Sequence, residues 1–409
     1  MVESDSMKKS WSRLPWRLYG RFTAAANDLL IWRYPYILPL KNFRTQISIL
    51  RGPTRPDGHP GTLLTAGAGH RIEYLSRRFF GGEYKRETLG RASLWNLTRA
   101  LERLQTSADM TIACLDRIST RLFSGAGYLS VPEWIDSSLA LPEHINDLAN
   151  GNYKLKRELQ RVFRSNLSHE LSQTEEDFER FYYTMHVPFT QKRYEGQEII
   201  HNFYQMRRVF HQGGLLLLKR NGQTIAGNLF QQRSQQLRSV AFGTVNGEWG
   251  PVALGAFAAL YFSLIKHAKE IGCTFVNFGA SRPSISDGVL KYKRKWGGSL
   301  TEVYHNHYNF LVRWNRLNRP VISFLSSTPL IFRGRGGFSA VYVIDRDGRA
   351  TKAEADKIRR SEWMPGLCRL YLVSTSGWQS EISSPPQTRL VDLTTDQGFS
   401  PLSMVDMNT

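Results

Sequence analysis

The sequence predicts a mixed α/β protein with sheets flanked by helices, and three neighbouring stretches carry that prediction. Gly214-Leu215-Leu216-Leu217-Leu218-Lys219 and Ile225-Ala226-Gly227-Asn228-Leu229-Phe230 read as strands joined through Asn221-Gly222, a preferred two-residue hairpin turn, and Leu237 to Thr244 supplies a third strand. Ala253 to Ile271 has the spacing of a long amphipathic helix and stops before Gly272, which suits a left-handed C-cap. Thr274 to Phe278 then reads as a short buried strand.

Upstream, residues 1–35 form a basic, aromatic lead-in with Lys8, Lys9, Arg13, Arg17 and Arg21 set among Trp11, Trp16 and Tyr19. It lacks a continuous apolar centre and a small-residue cleavage site, so it does not read as a secretory signal. Residues 36–150 read as an N-terminal α/β domain. Its strands fall at Tyr34 to Leu40, Thr45 to Leu50 (closed by a Gly52-Pro53 turn) and Met110 to Leu115, with a helix from Ser93 to Leu104. Residues 151–310 form the second domain, opening with amphipathic helices over Asn152 to Leu167 and Gln173 to Met185. A C-terminal extension at 311–379 holds a strand over Ala340 to Ile344 and a helix over Thr351 to Arg360, and 380–409 reads as a flexible tail rich in Ser, Thr, Pro and Asp.

The 409 residues suffice for two domains, and 41% hydrophobic with 22% charged residues excludes wholesale disorder. No run of eighteen apolar residues is present, which argues against a transmembrane helix. Cys114, Cys273 and Cys368 are far apart and odd in number, fitting reduced thiols in a cytoplasmic protein. A net charge of +19 favours anionic partners: nucleic acid, phospholipid headgroups or phosphorylated ligands.

Four stretches carry a family resemblance: Phe181-Tyr182-Tyr183-Thr184-Met185-His186, the Asn221-Gly222 hairpin with Ala226-Gly227, the Phe278-Gly279-Ala280-Ser281 turn, and Tyr292-Lys293-Arg294-Lys295-Trp296-Gly297. Through them residues 168–300 resemble the GNAT-fold acyltransferase superfamily. The likeness is to the branch of FemAB-like aminoacyltransferases and polysaccharide-biosynthesis acetyltransferases. The resemblance implies a GNAT-like mixed sheet flanked by helices, with residues 36–150 as a divergent second copy in tandem. It also implies that Lys293, in the aromatic-Lys pair, lies beside the reacting carbonyl and that Tyr292 positions it.

Acyl transfer to an amine develops an oxyanion and releases a proton, so fixed positive charge and a base are needed. Donor phosphates call for cations or free backbone N–H groups. Gly247, Gly250 and Gly255 lead into the long helix, whose N-terminus favours an anion, although their spacing departs from the usual acetyl-CoA signature. Arg282 and Lys295 are further donor-binding candidates; Arg282 could clamp a phosphate or simply pair with Asp287. Asp287 and Glu248 are the nearest acids and serve either as general base or as turn and cap residues. On a strand, Lys291, Lys293 and Lys295 would share one face. His186 and Arg193 are acceptor-binding candidates by the resemblance, and a structural histidine is the alternative. Thr65-Ala66-Gly67-Ala68-Gly69-His70-Arg71 resembles a glycine-rich phosphate loop, but no preceding strand and downstream acid support a dinucleotide fingerprint; a ligand loop of the N-terminal domain is the alternative. His201, His211, His305 and His307 lack ligand spacing, so no metal is expected.

The expected function is an acyl- or aminoacyltransferase. The donor is acyl-CoA or aminoacyl-tRNA, and the acceptor an amine or hydroxyl of an anionic cell-envelope or polysaccharide precursor. The alternative is a non-catalytic GNAT-like module that binds nucleic acid or an envelope-synthesis partner by charge. Partners would include tRNA and, peripherally, the inner membrane face of a cytoplasmic protein.

Overall fold

A computed structural model describes residues 43–123, 125–194, 200–303, 307–334, 336–379, 387–396 and 399–406. The lead-in at 1–35, the strand expected over Tyr34 to Leu40 and His305 lie outside the described residues. The described residues fall into two compact units: a smaller one of residues 138–279 and 295–298, and a larger one from 43–137, 280–294 and the stretches after 298.

The chain starts in the larger unit with β1 (Arg44–Pro53), β2 (Pro60–Gly67), α1 (Gly69–Phe80), β3 (Lys85–Ser93), α2 (Leu94–Leu104), β4 (Met110–Asp116) and β5 (Leu129–Pro132). β6 (Ile135–Ala140) carries it over the boundary. The smaller unit then runs α3 (Tyr153–Arg164), β7 (Leu167–Ser172), α4 (Glu175–Arg180), a π-helical turn at Phe181–His186, α5 (Val187–Tyr194), α6 (Phe203–His211), β8 (Gly213–Arg220), β9 (Gln223–Arg233) and β10 (Gln236–Thr244). It continues with α7 (Gly250–Ala253), α8 (Ala256–Glu270) and β11 (Phe275–Ser281). After α9 (Gly288–Lys295) come β12 (Ser299–Thr301), β13 (Tyr308–Trp314), α10 (Arg319–Ser327), β14 (Leu330–Gly334), β15 (Gly337–Ile344), α11 (Lys352–Glu362), β16 (Leu367–Ser374), β17 (Thr388–Asp392) and α12 (Pro401–Asp406).

In the smaller unit β7, β8, β9 and β10 are antiparallel neighbours, and β11 joins β10 in parallel after the crossover helix α8. Strand, helices, three-strand meander, crossover helix and parallel strand follow in the GNAT-like order that the resemblance implies. The hairpin turn is the expected one, with Asn221 and Gly222 both at positive φ, 51° and 79°. α8 closes as its sequence predicts: Gly272, at φ 76°, donates to the Lys269 carbonyl at 3.1 Å. Phe178, Phe181, Met185, Phe210, Leu217 and Leu229 build the core between this sheet and its helices.

The larger unit is one ten-stranded mixed sheet, in the order β17-β16-β15-β14-β5-β13-β4-β2-β1-β3. β4 is buried at every position, as a central strand with both faces covered must be. α1 and α10 pack through Phe79 and Phe324, whose ring centroids lie 5.7 Å apart. The fold class is thus mixed α/β, with helices on two mixed sheets.

Several local expectations differ from the structure. The helix expected over Asn152 to Leu167 stops at Arg164; Asn166 turns at φ 49° and Leu167 opens β7, an edge strand whose mostly exposed residues hide its alternation. The helix expected to close at Met185 instead widens into the π turn and continues through Pro188 in α5. Pro188 has no N–H to return to the preceding turn, and a wider turn accommodates that loss. Residues 311–379 supply β13 to β16 of the same sheet as β1 to β5. Within 380–409, expected as a flexible tail, β17 pairs with β16, and Val391, Phe399 and Met404 are buried in the core. Three apolar anchors outweigh the polar composition around them. No helix among the described residues is long and apolar enough to cross a membrane.

Candidate active site

The residues singled out in the sequence divide between the two units: Lys293, Tyr292, Asp287 and Arg282 in the larger, and His186, Arg193, Gly247, Glu248, Gly250, Gly255 and Lys295 in the smaller.

Lys291 to Lys295 is helix and not strand. Asp287 fixes this: its carboxylate accepts from Leu290 N at 2.9 Å and its carbonyl from Lys291 N at 2.9 Å, which starts α9. At 100° per residue the three lysines fan apart. Lys291 pairs with Glu362 at 3.0 Å, Lys293 turns inward, and Lys295 pairs with Glu158 in the smaller unit. Lys293 is only 2% exposed, and its ammonium donates to the Ala280 carbonyl at 2.7 Å and to Ser281 Oγ at 2.9 Å. The amino group is thereby fixed under the end of β11. Tyr292 beside it is half-buried.

Arg282 follows directly. Its guanidinium lies over Trp134 at 3.8 Å and over Tyr74 at 4.3 Å, so two aromatic faces hold it. Burial lowers its pKa from the usual arginine range, opposed by Tyr74, Glu133 and Asp287. Arg282 Nη1 is buried and has no hydrogen-bond acceptor among the described residues. Arg282 and Asp287 form no ion pair among the described residues, since Asp287 serves the α9 cap. Nearby in charge, Arg71 Nη1 donates to both oxygens of the buried Glu133, at 2.5 Å to Oε1, and its guanidinium lies 4.2 Å over the Tyr308 ring.

Tyr74, Glu133 and Trp134 were not singled out in the sequence, and Arg71 only as the end of a loop. The one available signal was the loop Thr65 to Arg71, set aside for want of a preceding strand. β2 is that strand: it runs to Gly67, and α1 starts at Gly69. The other partners lie some sixty residues away in sequence and meet only through the sheet.

In the smaller unit, His186 sits in the core at 6% exposure, Nδ1 3.0 Å from the Phe242 carbonyl and its ring stacked with Phe181. Burial lowers its pKa from the ordinary 6.5, only partly opposed by the Phe242 bond. Arg193 lies 5.8 Å over the Phe189 ring, which also packs on Trp249. Glu248 is exposed; its carbonyl accepts from Thr244 Oγ1 at 2.7 Å and holds the turn. Gly247 brings the backbone against Pro188 and Phe189, whereas Gly250 stands in open space at the start of α7. Gly255, at φ 93°, precedes α8, whose first turn carries no acidic residue and no side-chain cap. Lys295 is joined to α3 twice: by Glu158, and by Asn152, whose side chain donates to the Lys295 carbonyl at 2.8 Å while accepting from Leu155 N at 3.0 Å. Trp296, the second aromatic of the motif, is fully buried against Tyr261 of α8.

No family model matches the chain, and no curated protein matches it. Among solved structures it is similar to FemX at 11% identity and a TM-score of 0.36, over 68% of this chain and 90% of that one. It is also similar to L-PGS from Bacillus licheniformis, at 13% identity and a TM-score of 0.33 over 65% of this chain and 81% of that one. A third likeness is to the C-terminal domain of a putative lysylphosphatidylglycerol synthetase from Agrobacterium fabrum, at 10% identity and a TM-score of 0.32 over 66% and 83%. At such values the fold reading rests on the strand order of the chain itself.

Proposed function

We infer that the chain is an acyl- or aminoacyltransferase, moving the acyl group of a phosphate-bearing donor, acyl-CoA or aminoacyl-tRNA, onto an amine or hydroxyl of an anionic cell-envelope or polysaccharide precursor. The supporting observation is the end of β11, where the buried Lys293 ammonium underlies Ala280 and Ser281 and the next residue, Arg282, keeps a buried Nη1 without an acceptor. Attack forms the bond from nitrogen or oxygen to the acyl carbon and drives charge onto the carbonyl oxygen. Collapse breaks the bond to the donor's sulfur or oxygen, and the acceptor's proton passes to that leaving group. Arg282 offers a charged, pre-oriented donor to the phosphate or the developing oxyanion, and Lys293 holds the strand end that aims it.

The test is turnover with acyl-CoAs and charged tRNA as donors. Arg282→Gln should lower kcat/KM on the order of 100-fold, the loss typical of one such donor, with the cooperative melt retained and Arg282→Lys recovering part of it. Equal turnover by Arg282→Gln and the unaltered chain would remove this reading. The Asp287 carboxylate is engaged in the α9 cap, and this is the observation that favours the non-catalytic module as second reading. Binding that collapses across moderate salt, without chemical selectivity or turnover, would identify that module.

A further inference from the structure

Helix α3 has two unlike faces. Leu155, Leu159 and Val162 are buried in the smaller unit, and so is Glu158, the one carboxylate on the helix, which Lys295 neutralises. The outward face carries Lys154, Lys156, Arg157, Arg161 and Arg164, all exposed, with no acid among them. Tyr153 stands among these cations at 75% exposure, whereas Phe163, 64% exposed, lies at the edge of the buried stripe with its ring 5.5 Å from that of Phe262.

This arrangement works against the helix itself. Lys154, Lys156 and Arg157 crowd the N-terminal end, where the backbone already presents positive charge. Arg157 with Arg161, and Arg161 with Arg164, repeat like charges at four- and three-residue spacing. A face built against its own stability points to an anion from outside. An open cavity of about 820 Å³ runs along one flank, walled by Lys154, Arg157, Arg161 and Arg164 and, at its base, by the paired Lys295 and Glu158. It is roomy enough for a phosphate headgroup.

The form of the face selects the partner. From Lys156 round to Lys154 the cations span about 160° of the helix surface at 3.6 residues per turn. A cluster of cations with no acid among them is what the negative surface of an anionic bilayer attracts. The helix's apolar stripe is already buried in its own unit, so it cannot insert as an amphipathic anchor.

We propose that the outward face of α3 docks the protein on an anionic phospholipid bilayer, with headgroup phosphates seated along the Lys154–Arg164 flank. The attachment is electrostatic, reversible and independent of the transferase reading.

Sedimentation of the full chain with vesicles tests it. Vesicles of phosphatidylcholine with 30% phosphatidylglycerol should carry the protein down in 0.1 M salt, and pure phosphatidylcholine vesicles should not. Raising salt to 0.5 M should weaken binding at least tenfold. Arg157→Glu with Arg161→Glu and Arg164→Glu should do the same, while the triple lysine replacement should retain binding, which separates loss of charge from loss of fold. Tyr153→Ala should weaken binding severalfold. Failure of the unaltered chain to sediment with anionic vesicles would overturn the proposal, as would equal binding by the triple glutamate variant. Release of the bound protein by millimolar glycerol phosphate would reassign the flank to free phosphate. Displacement by tRNA at matched phosphate concentration would reassign the face to nucleic acid.

Discussion

The backbone of Gly247 passes so close to Pro188 that a Cβ on it would lie 2.7 Å from the Pro188 carbonyl oxygen. Gly247 also has φ 67°, a region that side-chain-bearing residues seldom occupy. Both neighbours are main chain, so nothing can swing aside. Gly247→Ala should therefore destabilise the smaller unit by about 2 kcal/mol or more, combining left-handed strain with the clash. The urea midpoint of the variant measures it, and an unchanged midpoint would show that the turn relaxes.

Lys293 should matter to stability apart from any chemistry. Lys293→Met keeps the stem and removes the ammonium, leaving the buried Ser281 hydroxyl and the Ala280 carbonyl without that donor. A loss of about 1–3 kcal/mol is expected for such unmet acceptors. Lys293→Met with Ser281→Ala should cost less than the sum of the two single changes in a double-mutant cycle.

His186 gives the fold a pH dependence of known sign. Its folded pKa lies below the ordinary 6.5, so the unfolded chain binds its proton first. The stability tied to His186 is fully present above pH 6.5 and is lost as pH falls from there through the folded pKa. Urea titrations between pH 5 and pH 7.5 should show that loss, and His186→Gln should flatten the slope in this window while lowering stability at pH 7.5.

At α11, Thr351 and Glu354 form a reciprocal cap: Glu354 N donates to Thr351 Oγ1 at 3.2 Å and Thr351 N to Glu354 Oε2 at 2.9 Å. Thr351→Ala should cost about 1 kcal/mol. The variant's melting temperature is the readout, and Thr351→Ser should restore most of the loss.

What was legible in the sequence depended on how local each signal was. The Asn221-Gly222 hairpin, the α8 stop at Gly272 and buried β4 were readable because a turn, a cap or an apolar run sits within a few residues. β7 was not, because an exposed edge strand has too few apolar positions to reveal its period. In the candidate site, Lys293 and Arg282 were found through the motif, but their settings were not. The Trp134–Arg282–Tyr74 stack joins three stretches more than fifty residues apart, and no spacing rule reaches across them. The lysine triplet was misassigned for a related reason. Alternation in Lys-Tyr-Lys-Arg-Lys mimics a strand, while the residue that makes it a helix is Asp287, whose cap role was one of two alternatives and was not connected to the lysines.

The order of β5-β13-β4 has a consequence for the newborn chain. β4 and β5 emerge early in synthesis, yet the strand that lies between them, β13, is translated about 175 residues later, after all of 138–279. The interior edges of both early strands must wait, unpaired, while the smaller unit is made and folded. Open strand edges invite pairing with other chains. The sheet of the larger unit can therefore close only once Tyr308–Trp314 has been made, after the whole of the smaller unit's main stretch.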